Sequence, residues 1–87
     1  MRIIWSADAW EEYQEWLEPQ RKKDLKKLNG FIKEIRRGSF YEGLGDPEPL
    51  KYELEGWYSR RITLADRLVY RVSDAGDLEI AQCRGHY

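Results

Sequence analysis

In 87 residues the chain has one histidine, one cysteine, one methionine and three prolines, and no apolar run long enough to cross a bilayer. The single thiol, Cys83, excludes an internal disulfide and any multi-cysteine metal site, and it fits a reducing cytoplasm. Cys83 therefore reads as a small core residue. His86 is the sole imidazole and has no carboxylate cluster beside it, so there is no convincing ligand set and no metal or cofactor is expected. The opening Met1 to Ser6 is too short an apolar stretch, and too soon followed by acidic residues, for a secretory or transit signal. A cytoplasmic location with no membrane partner is the expectation. Internal repeats, low-complexity tracts and linkers are also missing.

What is present suits a folded chain. Hydrophobic residues make up 41% and charged residues 36%, which favours a packed core over disorder. The length allows one domain, residues 1–87, with one modest core. Four tryptophans and six tyrosines supply large buried areas for so short a chain. The formal net charge of -1 hides a local skew. Between Arg21 and Arg37 eight basic residues face only Asp24 and Glu34. That segment reads either as the solvated side of a surface helix or as a face for a polyanion, where released counterions favour binding.

Local patterns give the element order. Arg2 to Trp5 is a β-prone run. Ser6 then fits an N-cap, with Asp8 in the first turn where the helix dipole favours a negative charge. The first helix puts Ala9, Trp10, Tyr13, Trp16 and Leu17 near one stripe, and Pro19 ends it and opens the next. In the second helix Leu25, Leu28, Ile32 and Ile35 recur at three-and-four spacing, and Gly38 closes it. A loop rich in glycine and proline spans residues 39–49. Strands are expected over Leu50–Leu54, Trp57–Thr63, Arg67–Ser73 and Leu78–Arg84. The expected fold is α+β: an N-terminal strand, then two helices packed on one face of a twisted antiparallel sheet of about four to five strands.

Alternation within the strands bears on chemistry. Tyr58 and Ile62 on one strand, and Leu68, Tyr70 and Val72 on the next, should face the helices. Pairing Ile62 with Leu68 and Thr63 with Arg67, across a Leu64-Ala65-Asp66 connection, leaves Arg61, Arg67 and Arg71 on the uncovered face. A slip of one residue would bury Arg67 as an unpaired charge, so it is rejected.

Glu48 lies between Pro47 and Pro49, whose rings stiffen the chain on either side of it. Lys51, Arg60, Arg61 and Arg67 follow, and His86 stands next to last. This set suits metal-free RNA cleavage, in which a ribose 2′-hydroxyl attacks the adjacent phosphorus. Glu48 can take the hydroxyl proton, and His86, with an ordinary pKa of about 6.5, can protonate the departing 5′-oxygen. Arg61 and Arg67 suit multi-donor contact with phosphate oxygens, Lys51 adds a point charge, and Tyr87 offers a plate for a splayed base. Each residue also has an ordinary use. A loop glutamate is commonly just solvated, a penultimate histidine is commonly frayed, and strand arginines commonly pair with surface carboxylates. A non-catalytic RNA or ribosome binder remains open on these grounds.

An ordered series of residues runs from Ile3-Ile4-Trp5-Ser6 through Trp10, Tyr13 and Trp16 to Ile35-Arg36-Arg37. It continues through Pro47-Glu48-Pro49-Leu50-Lys51, Gly56, Ser59 to Thr63 and Arg67 to Tyr70, and ends on Cys83-Arg84 and His86-Tyr87. In this series the whole chain resembles the YoeB/Txe family of toxins, within the RelE-like ribosome-dependent messenger-RNA endonucleases. The resemblance implies a type II toxin that cleaves messenger RNA in the A site of the 70S ribosome. The implied general base is Glu48 and the implied general acid His86. Lys51, Arg61 and Arg67 would stabilise the phosphate, and Tyr87 is the terminal tyrosine. Implied partners are a YefM/Axe-like antitoxin and a second copy of the chain. Two departures stand out: the loop at Ser39 to Gly43 is a residue longer than usual, and Gly85 replaces a bulkier residue, which would loosen the tail.

Overall fold

The computed structural model describes residues 1–85. Its elements are β1 (Ile3–Trp5), α1 (Ala7–Trp16), α2 (Lys22–Arg36), β2 (Glu48–Pro49), β3 (Tyr58–Arg61), β4 (Arg67–Val72) and β5 (Leu78–Gln82). A 3₁₀ turn over Pro19–Arg21 leads into α2, as the proline predicts. Ser6 caps α1 by accepting from the Ala9 N–H, and its own hydroxyl donates to the Ala81 carbonyl. One serine thus starts the helix and ties it to the sheet.

The five strands lie in the order β1-β5-β4-β3-β2. The two helices and the sheet of β-hairpins follow the expected α+β plan. One edge differs: β1 runs parallel to β5, so the sheet is mixed rather than wholly antiparallel. Strand patterning reports which residues alternate, not which partner a lone N-terminal strand will choose.

The core forms where the helix stripes meet one sheet face. Ala9, Trp16, Leu28, Phe31, Ile32 and Ile35 pack against Ile62, Leu68, Tyr70, Leu78 and Ile80. The α1 stripe is narrower than the sequence implies. Trp10 and Leu17 are half exposed, and Trp10 instead packs its ring against Trp5 and Tyr13 at the helix edge.

Two expectations about the strands need correction. Leu50–Leu54 is not a strand; the edge strand is Glu48–Pro49, and Tyr52–Leu54 is a 3₁₀ turn. The strand beyond Trp57 pairs with Glu48–Pro49, so the chain between them serves as the connection and reverses through a left-handed Tyr52 at φ 59°. The β3–β4 register is shifted by two residues from the one expected. Arg60 lies opposite Leu68, and Arg61 lies opposite Arg67. An even shift keeps every side chain on its predicted face, but it changes which residues confront each other.

That face assignment puts Arg60 in the core, where it is fully buried. Its Nε donates to the Tyr70 hydroxyl at 3.0 Å. Nη1 pairs with Glu34 and donates to the Leu44 carbonyl, and Nη2 donates to the carbonyls of Ser39, Phe40 and Glu42. One guanidinium therefore gathers the whole 39–44 loop. Gly45 completes the closure: its carbonyl accepts from the Arg61 N–H at 2.8 Å, and a Cβ there would meet the Phe31 ring at 2.6 Å. This folded-back loop delivers β2 to the edge of β3.

Candidate active site

On the sheet face opposite the helices, pairing brings Glu48, Arg61 and Arg67 into one neighbourhood. Glu48 on β2 pairs with Ser59 on β3, and Ser59 pairs with Val69 on β4. Residues directly opposite point to the same side, so Glu48, Arg61 and Arg67 share this face. An edge strand is where a proline following Glu48 is tolerated, because no ladder donor is lost.

Arg61 and Arg67 are direct cross-strand partners. Their Cβ atoms are therefore roughly 5 Å apart, and like charges in that position repel. Among the described residues neither forms an ion pair, and neither do Glu48 or Lys51. The Nε of Arg67 is buried with no hydrogen-bond partner among the described residues. Leaving such a donor unmatched costs about 1–3 kcal/mol, a penalty that an incoming anion oxygen relieves. Arg71 occupies the same face but is neutralised: it pairs with Glu79 at 2.5 Å and lies over the Trp57 ring. Arg60, the remaining cation of this segment, is occupied in the core.

Residues 82–85 are tied to the same place. Cys83 is fixed on α1, its N–H donating to Glu12 Oε1, its thiol to the Ala9 carbonyl, and its carbonyl accepting from Trp16 Nε1. Arg84 pairs with Glu15. The Gly85 N–H donates to Asp66 Oδ1, and the Gly85 carbonyl accepts from the Arg67 N–H at 3.1 Å. Gln82 Nε2 also reaches the Arg84 and Gly85 carbonyls. Gly85 adopts φ 77°, which glycine takes without penalty. These bonds hold Gly85 against Arg67. The two residues that follow, His86 and Tyr87, fall outside the described part of the chain.

Asp66 is the clamp that the sequence reading missed, taken there as mere connection. Its Oδ2 accepts from the Thr63 hydroxyl, whose own oxygen accepts from the Ala65 N–H. Partial burial opposes ionisation of Asp66, but the Thr63 hydroxyl, the Gly85 N–H and the charges of Arg84 and Arg21 outweigh it and hold its carboxyl below the usual range. A depressed folded-state pKa means the ionised clamp stabilises the fold above the ordinary carboxylate pKa of about 3.9. That contribution is lost as pH falls through the lower folded-state value. Asp66→Ala should therefore destabilise by about 1–2 kcal/mol at neutral pH and release the Gly85 amide to fast hydrogen exchange. The deficit should shrink in acid unfolding below about pH 4, where the wild type loses the same contribution.

Cys83 is a fully buried core residue. Burial, with Glu12, Glu15 and Asp66 nearby, pushes its thiol up to about 12. Burial likewise raises the Glu12 carboxyl, only partly offset by the Cys83 and Arg84 N–H groups. Native protein should resist alkylation by iodoacetamide at pH 8 and react only when unfolded, as a mass shift in denaturant would report.

Among the described residues no group of three His, Cys, Asp or Glu side chains is placed to hold a metal. A groove of about 570 Å³ lies on the other side of the sheet, with Lys23, Lys26 and Lys27 at its rim and Phe31, Leu44 and Ile62 below. Glu48, Arg61 and Arg67 do not line it.

Residues 5–87 match the family model described as YoeB-like toxin of bacterial type II toxin-antitoxin system. The toxin YoeB of Escherichia coli K12 is 52% identical over 87 residues, covering all of both chains. The chain belongs to the YoeB family. It is thus a toxin of the type II toxin-antitoxin kind, and solved YoeB structures share its fold. A YoeB/ParE toxin from Agrobacterium tumefaciens superposes with TM-score 0.90 at 41% identity, covering 100% of each chain. YoeB of Staphylococcus aureus, 44% identical, superposes with TM-score 0.87 as a dimer and 0.88 in a YoeB-YefM complex, covering all of this chain and 98% of that one. No helix among the described residues of this YoeB-family chain is long and apolar enough to cross a membrane.

Proposed function

We propose that this toxin is a metal-independent endoribonuclease that cuts messenger RNA in the ribosomal A site and so stops translation in the cytoplasm. The support is one juxtaposition: Arg61 faces Arg67 without a counter-ion among the described residues, on the face that carries Glu48 and beside the anchored Gly85. Two adjacent guanidiniums are poor for stability and good for a phosphate.

In the proposed reaction Glu48 removes the 2′-hydroxyl proton as that oxygen bonds to phosphorus. Arg61, Arg67 and Lys51 stabilise the charge on the non-bridging oxygens. The P–O5′ bond breaks, and His86 donates a proton to the leaving oxygen. The products are a 2′,3′-cyclic phosphate, which water can open to a 3′-phosphate, and a 5′-hydroxyl fragment. Tyr87 stacks on an unpaired base. The basic side of α2 faces ribosomal RNA. A YefM-like antitoxin and a second copy of the chain are the proposed protein partners.

Purified toxin should be added to 70S ribosomes stalled with a defined codon in the A site, and message ends mapped by primer extension. New ends within that codon are expected. Complete translational arrest over intact message would instead favour a toxin that blocks by occupancy alone.

A further inference from the structure

Tyr52 is the unexplained residue on this surface. It is 89% exposed, and among the described residues it is the tyrosine with neither a ring partner nor a hydroxyl partner. Its backbone is left-handed at φ 59°, a conformation that a bulky L-residue adopts only with strain. The turn around it is nevertheless well bonded. Leu54 N–H donates to the Lys51 carbonyl, Glu55 N–H to the Tyr52 carbonyl, and Trp57 N–H to the Leu54 carbonyl. A rigid turn therefore holds an apolar ring out in water at a fixed place, beside Lys51 and four residues beyond Glu48. A cleft of about 320 Å³ runs under it, lined by Pro49, Leu50, Lys51, Tyr52 and Leu54.

We propose that Tyr52 and this cleft form a stacking subsite for the nucleobase next to the scissile phosphate. The inference rests on the ribonuclease reading and adds a base-binding element to it. The β2–β3 turn projects past Glu48 at the end of β3 remote from Arg61. A strand whose reacting phosphate sits between Glu48 and the arginines would carry its adjoining nucleotide toward Tyr52. An aromatic face held on an ordered turn stacks a base with little loss of freedom, and it tolerates several bases while favouring purines, which overlap it more.

The test uses ribosomes programmed with a message that carries 2-aminopurine beside the scissile position and a 2′-deoxy ribose at it. Stacking on Tyr52 should quench the fluorophore on addition of wild type or Tyr52→Phe, and Tyr52→Ala should leave it bright. With the all-ribose message Tyr52→Ala should raise KM by about tenfold, leave kcat near the wild-type value and flatten the preference for the neighbouring base. Its thermal midpoint should match the wild type, which separates this role from a structural one. Equal quenching by Tyr52→Ala and wild type, or no quenching by either, overturns the subsite, and so does a dissociated dimer as the only defect. Tyr52-dependent quenching without any cutting of the ribose message would retain the subsite and sink the nuclease reading. Normal cutting with no effect of Tyr52→Ala would do the reverse.

Discussion

Replacing Arg60 with methionine should lower the unfolding free energy by about 3–5 kcal/mol, the loss expected when one member of a buried charged network is removed. The substitution leaves Glu34 without its partner and strips the carbonyls of Ser39, Phe40, Glu42 and Leu44 of their common donor. For a chain of this size each kcal/mol moves the thermal midpoint by roughly 4–8 °C, so a drop above about 12 °C should be visible by circular dichroism. Arg60→Lys should recover little, because a point ammonium cannot span acceptors that converge on a planar fork. Tyr70 gives an independent check. Burial raises its phenol above the ordinary value, with the hydrogen bond and charge of Arg60 pulling the other way. Tyr70→Phe should cost less, about 2–3 kcal/mol, since the bond to the Phe40 carbonyl is lost and the buried Arg60 Nε is left unmatched.

The second large effect is on rate. Glu48→Gln should slow cleavage on the ribosome by about 10²–10⁴-fold, the usual contribution of a positioned general base. Arg67→Ala and Arg61→Ala should each lose about 10²–10³-fold in kcat through weaker stabilisation of the phosphorane. These three substitutions should not unfold the protein. Arg61→Ala removes a like-charge confrontation with Arg67, so its thermal midpoint should equal or exceed that of the wild type. Loss of activity together with loss of stability in Arg61→Ala would show that the arginine pair is held by structure and not kept for a ligand. Single-turnover cutting and calorimetry on the same preparations separate the two outcomes.

Much of this was legible in the residues. Helix boundaries followed from Ser6, Pro19 and Gly38, and the face of each strand followed from simple alternation. Arg61, Arg67 and Arg71 share the face that alternation assigned to them, and strand pairing brings Glu48 from its proline-flanked stretch to the same face. What was not legible depends on pairing across the chain. The two-residue shift that sets Arg61 opposite Arg67 preserves the pattern on both strands, so no pattern can detect it. Arg60 was counted among the strand cations, although its position between Tyr58 and Ile62 already put it on the helix side. The parallel seat of β1 beside β5 has no local signature either. Asp66 looked like an ordinary connection residue because its partner, Gly85, is nineteen positions away.

The family and its fold rest on whole-chain similarity, whereas the catalytic assignment rests on a surface of a few side chains. Its distinctive feature is the use of the substrate's own hydroxyl as nucleophile, without metal. The most direct measurement compares two ribosome-bound messages that differ only in the 2′-oxygen of the nucleotide 5′ to the cut. Wild-type toxin should cleave the all-ribose message to a cyclic phosphate and leave the 2′-deoxy message intact over the same time. Cleavage of the 2′-deoxy message at a comparable rate would contradict 2′-hydroxyl attack and with it the roles given to Glu48 and His86.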